Sequence, residues 1–150
     1  MGESVTFSET DRPVVLLIDT HPDVLERLAQ LLRLESFELC SATTAVEALA
    51  ILARQPVDLV MSAARLPDMD GATLLAQIHR DYPHTVRLLL TGETDLSLII
   101  KAINEGQIYR YLSKPWKDEE LLLALRQSLA HQHSERERLR LEQLIRQQNE

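Results

Sequence analysis

Five times along the chain a short apolar run is followed by an amphipathic stretch, with only a few polar residues between them. No other feature limits the fold as tightly. Val14, Val15, Leu16, Leu17 and Ile18 form an unbroken run rich in β-branched residues, the signature of a strand covered on both faces of a parallel sheet. Pro22 and Asp23 then open a helix carrying Leu25, Leu28, Leu31 and Leu32 at helical spacing. A weaker strand is predicted over residues 37–42. Thr44 and Glu47 make a capping box, and residues 45–53 behind it read as the second helix. The third unit is a strand over 58–62, a turn through Pro67, Asp68, Met69, Asp70 and Gly71, and a helix over 72–80. The fourth strand, 86–90, ends in Thr91 and Gly92. Asp95 caps the next helix, which bears Leu96, Ile99, Ile100 and Ile103, and Gly106 is expected to stop it. The fifth strand, 108–112, is broken by Lys114 and Pro115, and a long helix begins near Asp118.

This alternation, with short connections, predicts an α/β fold: a doubly wound, five-stranded parallel sheet with helices on both faces and an extended C-terminal helix. In such sheets sites form where loops leave the carboxyl ends of the strands. Asp19, Thr20, Ala63, Thr91 and Lys114 each end or directly follow a predicted strand. They are the candidate site.

The length of 150 residues suits one domain with an extra element. A formal net charge of -7 argues against nucleic acid as a partner. No stretch is long and apolar enough to span a membrane. Residues 1–12 are polar, read as a disordered tail, and show no secretory signal. The lone cysteine, Cys40, permits no internal disulfide and is expected to be a buried, inert thiol. Together these features point to the cytoplasm. Residues 13–130 are the predicted domain. Residues 131–150 form a charged helical connector in which Glu135 with Arg138, Glu137 with Arg140 and Glu142 with Arg146 stand at favourable spacing. Its few apolar residues, Leu139, Leu141, Leu144 and Ile145, suggest a helix that pairs with a second copy and leads to an output domain beyond Glu150.

The candidate residues fall in an ordered series. Asp19 follows strand one, Leu66 through Gly71 follows strand three, Thr91 and Gly92 follow strand four, and Tyr111, Leu112, Ser113, Lys114, Pro115 and Trp116 close strand five. The series resembles the receiver domains of two-component response regulators, CheY-like modules, over residues 13–130. That resemblance implies the strand order 2-1-3-4-5 and phosphoryl transfer to an aspartate, assisted by Mg²⁺. It also implies roles for individual positions. Thr91 matches the switch hydroxyl, Lys114 the phosphate-pairing lysine and Tyr111 the aromatic that changes rotamer. Two positions depart from the pattern. The acceptor aspartate falls on Ala63, and the second of the paired acids after strand one falls on Thr20, leaving Asp19 as the remaining acid. Ser62 is a poor substitute nucleophile, because neighbouring strand residues point to opposite faces. His21 is expected at the solvent-facing rim. The two losses together read as natural degeneration rather than a single engineered change.

The resemblance therefore implies a degenerate receiver without enzymatic activity of its own. It would regulate an attached domain or partner by protein contacts, with no catalytic residues, no cofactor and weak or absent Mg²⁺ binding. Asp19 and Lys114 would form a plain salt bridge. The run from Ile103 to Trp116 looks like receivers joined to HD-type phosphohydrolase or cyclic-dinucleotide phosphodiesterase outputs. In this family, the face made by helix four, strand five and helix five often carries dimer or output contacts. Two alternatives are a conventional Mg²⁺-dependent phosphoacceptor switch and a flavodoxin-like cofactor carrier. The latter needs a glycine-rich phosphate loop after strand one, where this chain has Asp19, Thr20, His21, Pro22 and Asp23.

Overall fold

The computed structural model describes residues 12–92 and 95–148. The tail expected over residues 1–12 lies almost wholly outside them. Five strands, β1 (Val14–Ile18), β2 (Glu38–Ala42), β3 (Leu59–Ser62), β4 (Val86–Thr91) and β5 (Arg110–Ser113), alternate with five helices. The helices are α1 (Pro22–Leu32), α2 (Ala45–Arg54), α3 (Gly71–Asp81), α4 (Leu96–Asn104) and α5 (Asp118–Gln148). All strand pairs are parallel, in the order β2-β1-β3-β4-β5.

Alternation within each central strand builds two cores. Leu16, Ile18, Val60 and Leu89 face one side, with Ile51 and Leu52 of α2, Leu74, Leu75 and Ile78 of α3 and Ile99 of α4. Val15, Leu17, Leu59, Met61, Leu88 and Leu90 face the other, with Leu25, Leu28 and Leu32 of α1 and Leu121, Leu125 and Leu129 of α5. A β-run apolar at every position has to be covered twice.

The helix ends follow local chemistry. Thr44 caps α2 by accepting from the Glu47 amide, and the Glu47 carboxylate accepts in return from Thr43. Asp68, in the loop before α3, accepts from the Ala45 and Val46 amides. These bonds hold its carboxyl below the usual range. Gly71 is needed because a Cβ there would lie 1.9 Å from the Ala63 carbonyl oxygen.

Several expectations shift. Gly106 follows α4 but does not adopt the left-handed conformation, which belongs to Gln107 (φ 50°). Glycine is required at 106 for space, since a Cβ would meet the Ala102 carbonyl at 2.8 Å. The fifth strand starts two residues late, at Arg110. Cys40 is half-buried rather than buried, and desolvation pushes its thiol up from the ordinary range. Glu142, expected to meet Arg146, receives Arg138 instead. Trp116 packs against the α1/α5 core, with its indole N–H donated to Asp118 and the Arg27 guanidinium over its ring.

Arg87, inside the fourth apolar run, is buried and, among the described residues, has no carboxylate partner. Its guanidinium donates to the carbonyls of Thr85, Gly106 and Gln107, tying the start of β4 to the α4–β5 loop.

Candidate functional site

The parallel register gathers the strand ends. The Asp19 amide donates to Ala42 O on β2, the Ala63 amide to Ile18 O on β1, and the Lys114 amide to Thr91 O on β4. Each bond extends a ladder one residue past its strand, so positions 19, 63, 91 and 114 are held by backbone before any side chain acts.

Asp19 is 2% exposed. Its Oδ1 accepts from the His21 amide at 2.9 Å, and its Oδ2 accepts from Lys114 Nζ at 2.6 Å. The expected salt bridge is present, between residues 95 apart in sequence. A carboxylate out of water requires such partners. His21 stands exposed at the start of α1, as expected of a rim residue.

The Thr20 hydroxyl donates to the Arg65 carbonyl at 3.1 Å. Ala63 is buried, its methyl group offering neither nucleophile nor ligand. Ser62 is fully buried, and its hydroxyl donates to the Ala63 carbonyl. Thr91, also buried, donates to Asp95 Oδ2 at 3.1 Å. Tyr111 is 47% exposed on β5 and takes no part in these contacts.

Two participants escape a sequence reading. Asp95 was expected only as a helix cap, yet its side chain makes no capping bond. It accepts from Thr91 and, through Oδ1, from Arg65 Nε at 2.9 Å. Arg65 is an exposed arginine in the loop after β3, and nothing in its sequence context marks it. A second tie joins α3 to α4. Lys101 Nζ donates to Thr73 Oγ1 at 2.7 Å and lies 3.4 Å from Asp70 Oδ2. Burial alone would raise the Asp70 carboxyl, but the Thr73 bonds and Lys101 hold it below the usual range.

The profile of the response regulator receiver domain matches residues 15–126. The chain belongs to that family. As a receiver it is a module of two-component phosphorelay signalling rather than an enzyme. The signal receiver domain of an HD domain-containing protein from Pseudomonas fluorescens Pf-5 is 61% identical to it, with a TM-score of 0.84 over 89% of this chain and 97% of the other. A CheY-like response regulator receiver domain protein from Methanospirillum hungatei JF-1 is 29% identical, with a TM-score of 0.79 over 83% and 99% of the two chains. The hydrogenase transcriptional regulatory protein HoxA of Cupriavidus necator is 34% identical over 118 residues, which are 79% of this receiver and 24% of HoxA. The receiver thus spans about a quarter of the length of such relatives. Among the described residues, no helix is long and apolar enough to cross a membrane.

Proposed function

We propose that this receiver regulates through protein contacts in the cytoplasm, without aspartyl phosphorylation. The observation that carries the reading is the buried methyl group of Ala63 at the position expected of the phosphoacceptor. Phosphoryl transfer needs an oxygen nucleophile there, and alanine has none. Asp19 and Lys114 support the same reading, since each neutralises the other at 2.6 Å.

The pocket is also a poor match for Mg²⁺. That ion prefers several hard oxygen ligands, anionic ones above all. Asp19 is the one carboxylate among positions 19, 20 and 63, and both its oxygens are engaged. The Thr20 hydroxyl is committed to the Arg65 carbonyl. Among the described residues, no group of three or more histidine, cysteine, aspartate or glutamate side chains is placed to hold a metal.

The regulated element is, on this reading, an output domain joined through α5. The 61% identical receiver from an HD domain-containing protein makes an HD-type output the first candidate. The full chain, incubated with acetyl phosphate and Mg²⁺, should keep its unmodified intact mass. Its melting temperature should not move on adding millimolar Mg²⁺ at matched ionic strength. Stoichiometric addition of one phosphoryl group would refute the reading.

A further inference from the structure

The cap residue of α4 does not cap. Asp70 and Thr44 each accept an amide from their own helix, whereas the Asp95 carboxylate makes no such bond. Both of its oxygens point to other elements. Oδ2 takes the hydroxyl of Thr91, which is 3% exposed at the end of β4. Oδ1 takes the guanidinium of Arg65, from the loop that follows Ala63. Arg65 is in turn bound through its carbonyl to the Thr20 hydroxyl. One carboxylate therefore joins the start of α4 to the end of β4 and to the loop carrying position 63.

We propose that Asp95 is a positioning residue that acts as a built-in anion: held by Arg65, it engages Thr91 and fixes α4 in one arrangement without any added phosphate. The chemistry is that of any anion at this place. It neutralises a cation and accepts a hydroxyl proton in a partly buried setting, where charge-assisted bonds are stronger than neutral ones. What it positions is an exposed apolar stripe, since Leu96, Ile100 and Ile103 stand on the outer side of α4. Lys101, on the same helix, is tied to α3 through Thr73, so α4 is held at its start and along its flank.

The proposal rests on the reading of the receiver as unphosphorylated, and the two can fail separately. Amide hydrogen exchange on the full chain, with no phosphodonor present, tests the clamp. D95A and T91V are each expected to speed exchange across residues 96–104 about three- to tenfold relative to β1 and β3, the scale of one hydrogen bond lost. R65A should give a smaller rise. The double variant D95A/T91V should exchange no faster than D95A, because both remove the same contact. T91V separates clamping from capping, because it leaves position 95 intact and removes only the bond to Asp95. Unchanged exchange in T91V, or additive effects in the double variant, would overturn the proposal. Should D95A fail to fold, T91V compared with R65A/T91V supplies the same test. A chain that stays unmodified by acetyl phosphate while α4 ignores Asp95 would keep the proposed function and lose the clamp.

Discussion

Lys114 and Asp19 illustrate what one buried charge demands of its neighbours. Asp19 is almost fully enclosed, while Lys114 keeps a quarter of its side chain in solvent. Removing the lysine strands a carboxylate with the His21 amide as its other partner, and breaking such a pair costs about 3–5 kcal/mol. K114M should therefore destabilise the receiver by about 3 kcal/mol in urea unfolding, somewhat less than the full range because Lys114 is part-exposed. D19N/K114M should recover most of that loss, since the uncompensated charge is gone. A double variant as unstable as K114M would show that Lys114 contributes through packing. The pair was legible in sequence only through family resemblance. Nothing local to either residue signals a partner 95 positions away. Asp95 was half legible, because a cap position is visible in sequence but the direction of an uncommitted carboxylate is not. Arg65 was not legible, since an exposed loop arginine has no periodicity to betray it.

At the scale of elements, legibility followed burial. β1 and β3 are covered on both faces, and their apolar runs announce them. β2 and β5 are the sheet edges, partly exposed, and their predicted starts were early because edge strands carry mixed residues. The helix α4 stops just before Gly106, as expected, but the glycine signal for a left-handed turn and the glycine signal for close packing look alike in sequence, and here the second applies. The packing of α3 against β4 adds a pH dependence. His79, in the last turn of α3, has a buried Nδ1 without a hydrogen-bond partner. Burial holds its pKa below the ordinary 6.5, and the nearby Arg87 charge adds to the effect. The unfolded chain then takes up a proton more readily than the fold does. This stability contribution is complete above pH 6.5 and is lost as pH falls below it. H79L should flatten the fall in the urea midpoint between pH 7.5 and pH 5.5 (an interval of about one unit either side of the free histidine value). At neutral pH it should be neutral or slightly stabilising, because the unpaired polar atom is removed. An unaltered pH profile would assign the dependence to other histidines.

For the molecule as a whole, the connecting helix is less separate from the receiver than its charge pattern suggests. Gln132 Nε2 reaches Asp58 Oδ1 and the His84 carbonyl, both at 3.3 Å. Arg136 contacts the same Asp58 oxygen at 3.3 Å, while Oδ2 of Asp58 accepts the Val14 amide at 2.8 Å. His131 stacks on Tyr109 with ring centroids 4.6 Å apart. The seam between domain and connector, expected at residue 130, is thus bridged at the amino ends of β1 and β3. Further along, Leu141, Leu144 and Ile145 are exposed on one face, so a second copy remains the proposed partner there. Sedimentation should show the full chain as a dimer at tens of micromolar and L141D/L144D as a monomer, with unchanged receiver folding. A wild-type chain that stays monomeric at high concentration would reject that partner.

The mechanics of that bridged helix set how far a small event can be felt. From Gln132 to Gln148 α5 continues for about 24 Å, at 1.5 Å per residue, and its fulcrum is the Asp58 contact at the amino end of β3. A tilt of about 10° there would sweep the far tip through about 4 Å, about three quarters of the helix pitch. On the domain side the same helix runs about 21 Å from Asp118 to Gln132, so the two arms are nearly equal and a shift of α5 against the sheet would reach the tip at about its own size.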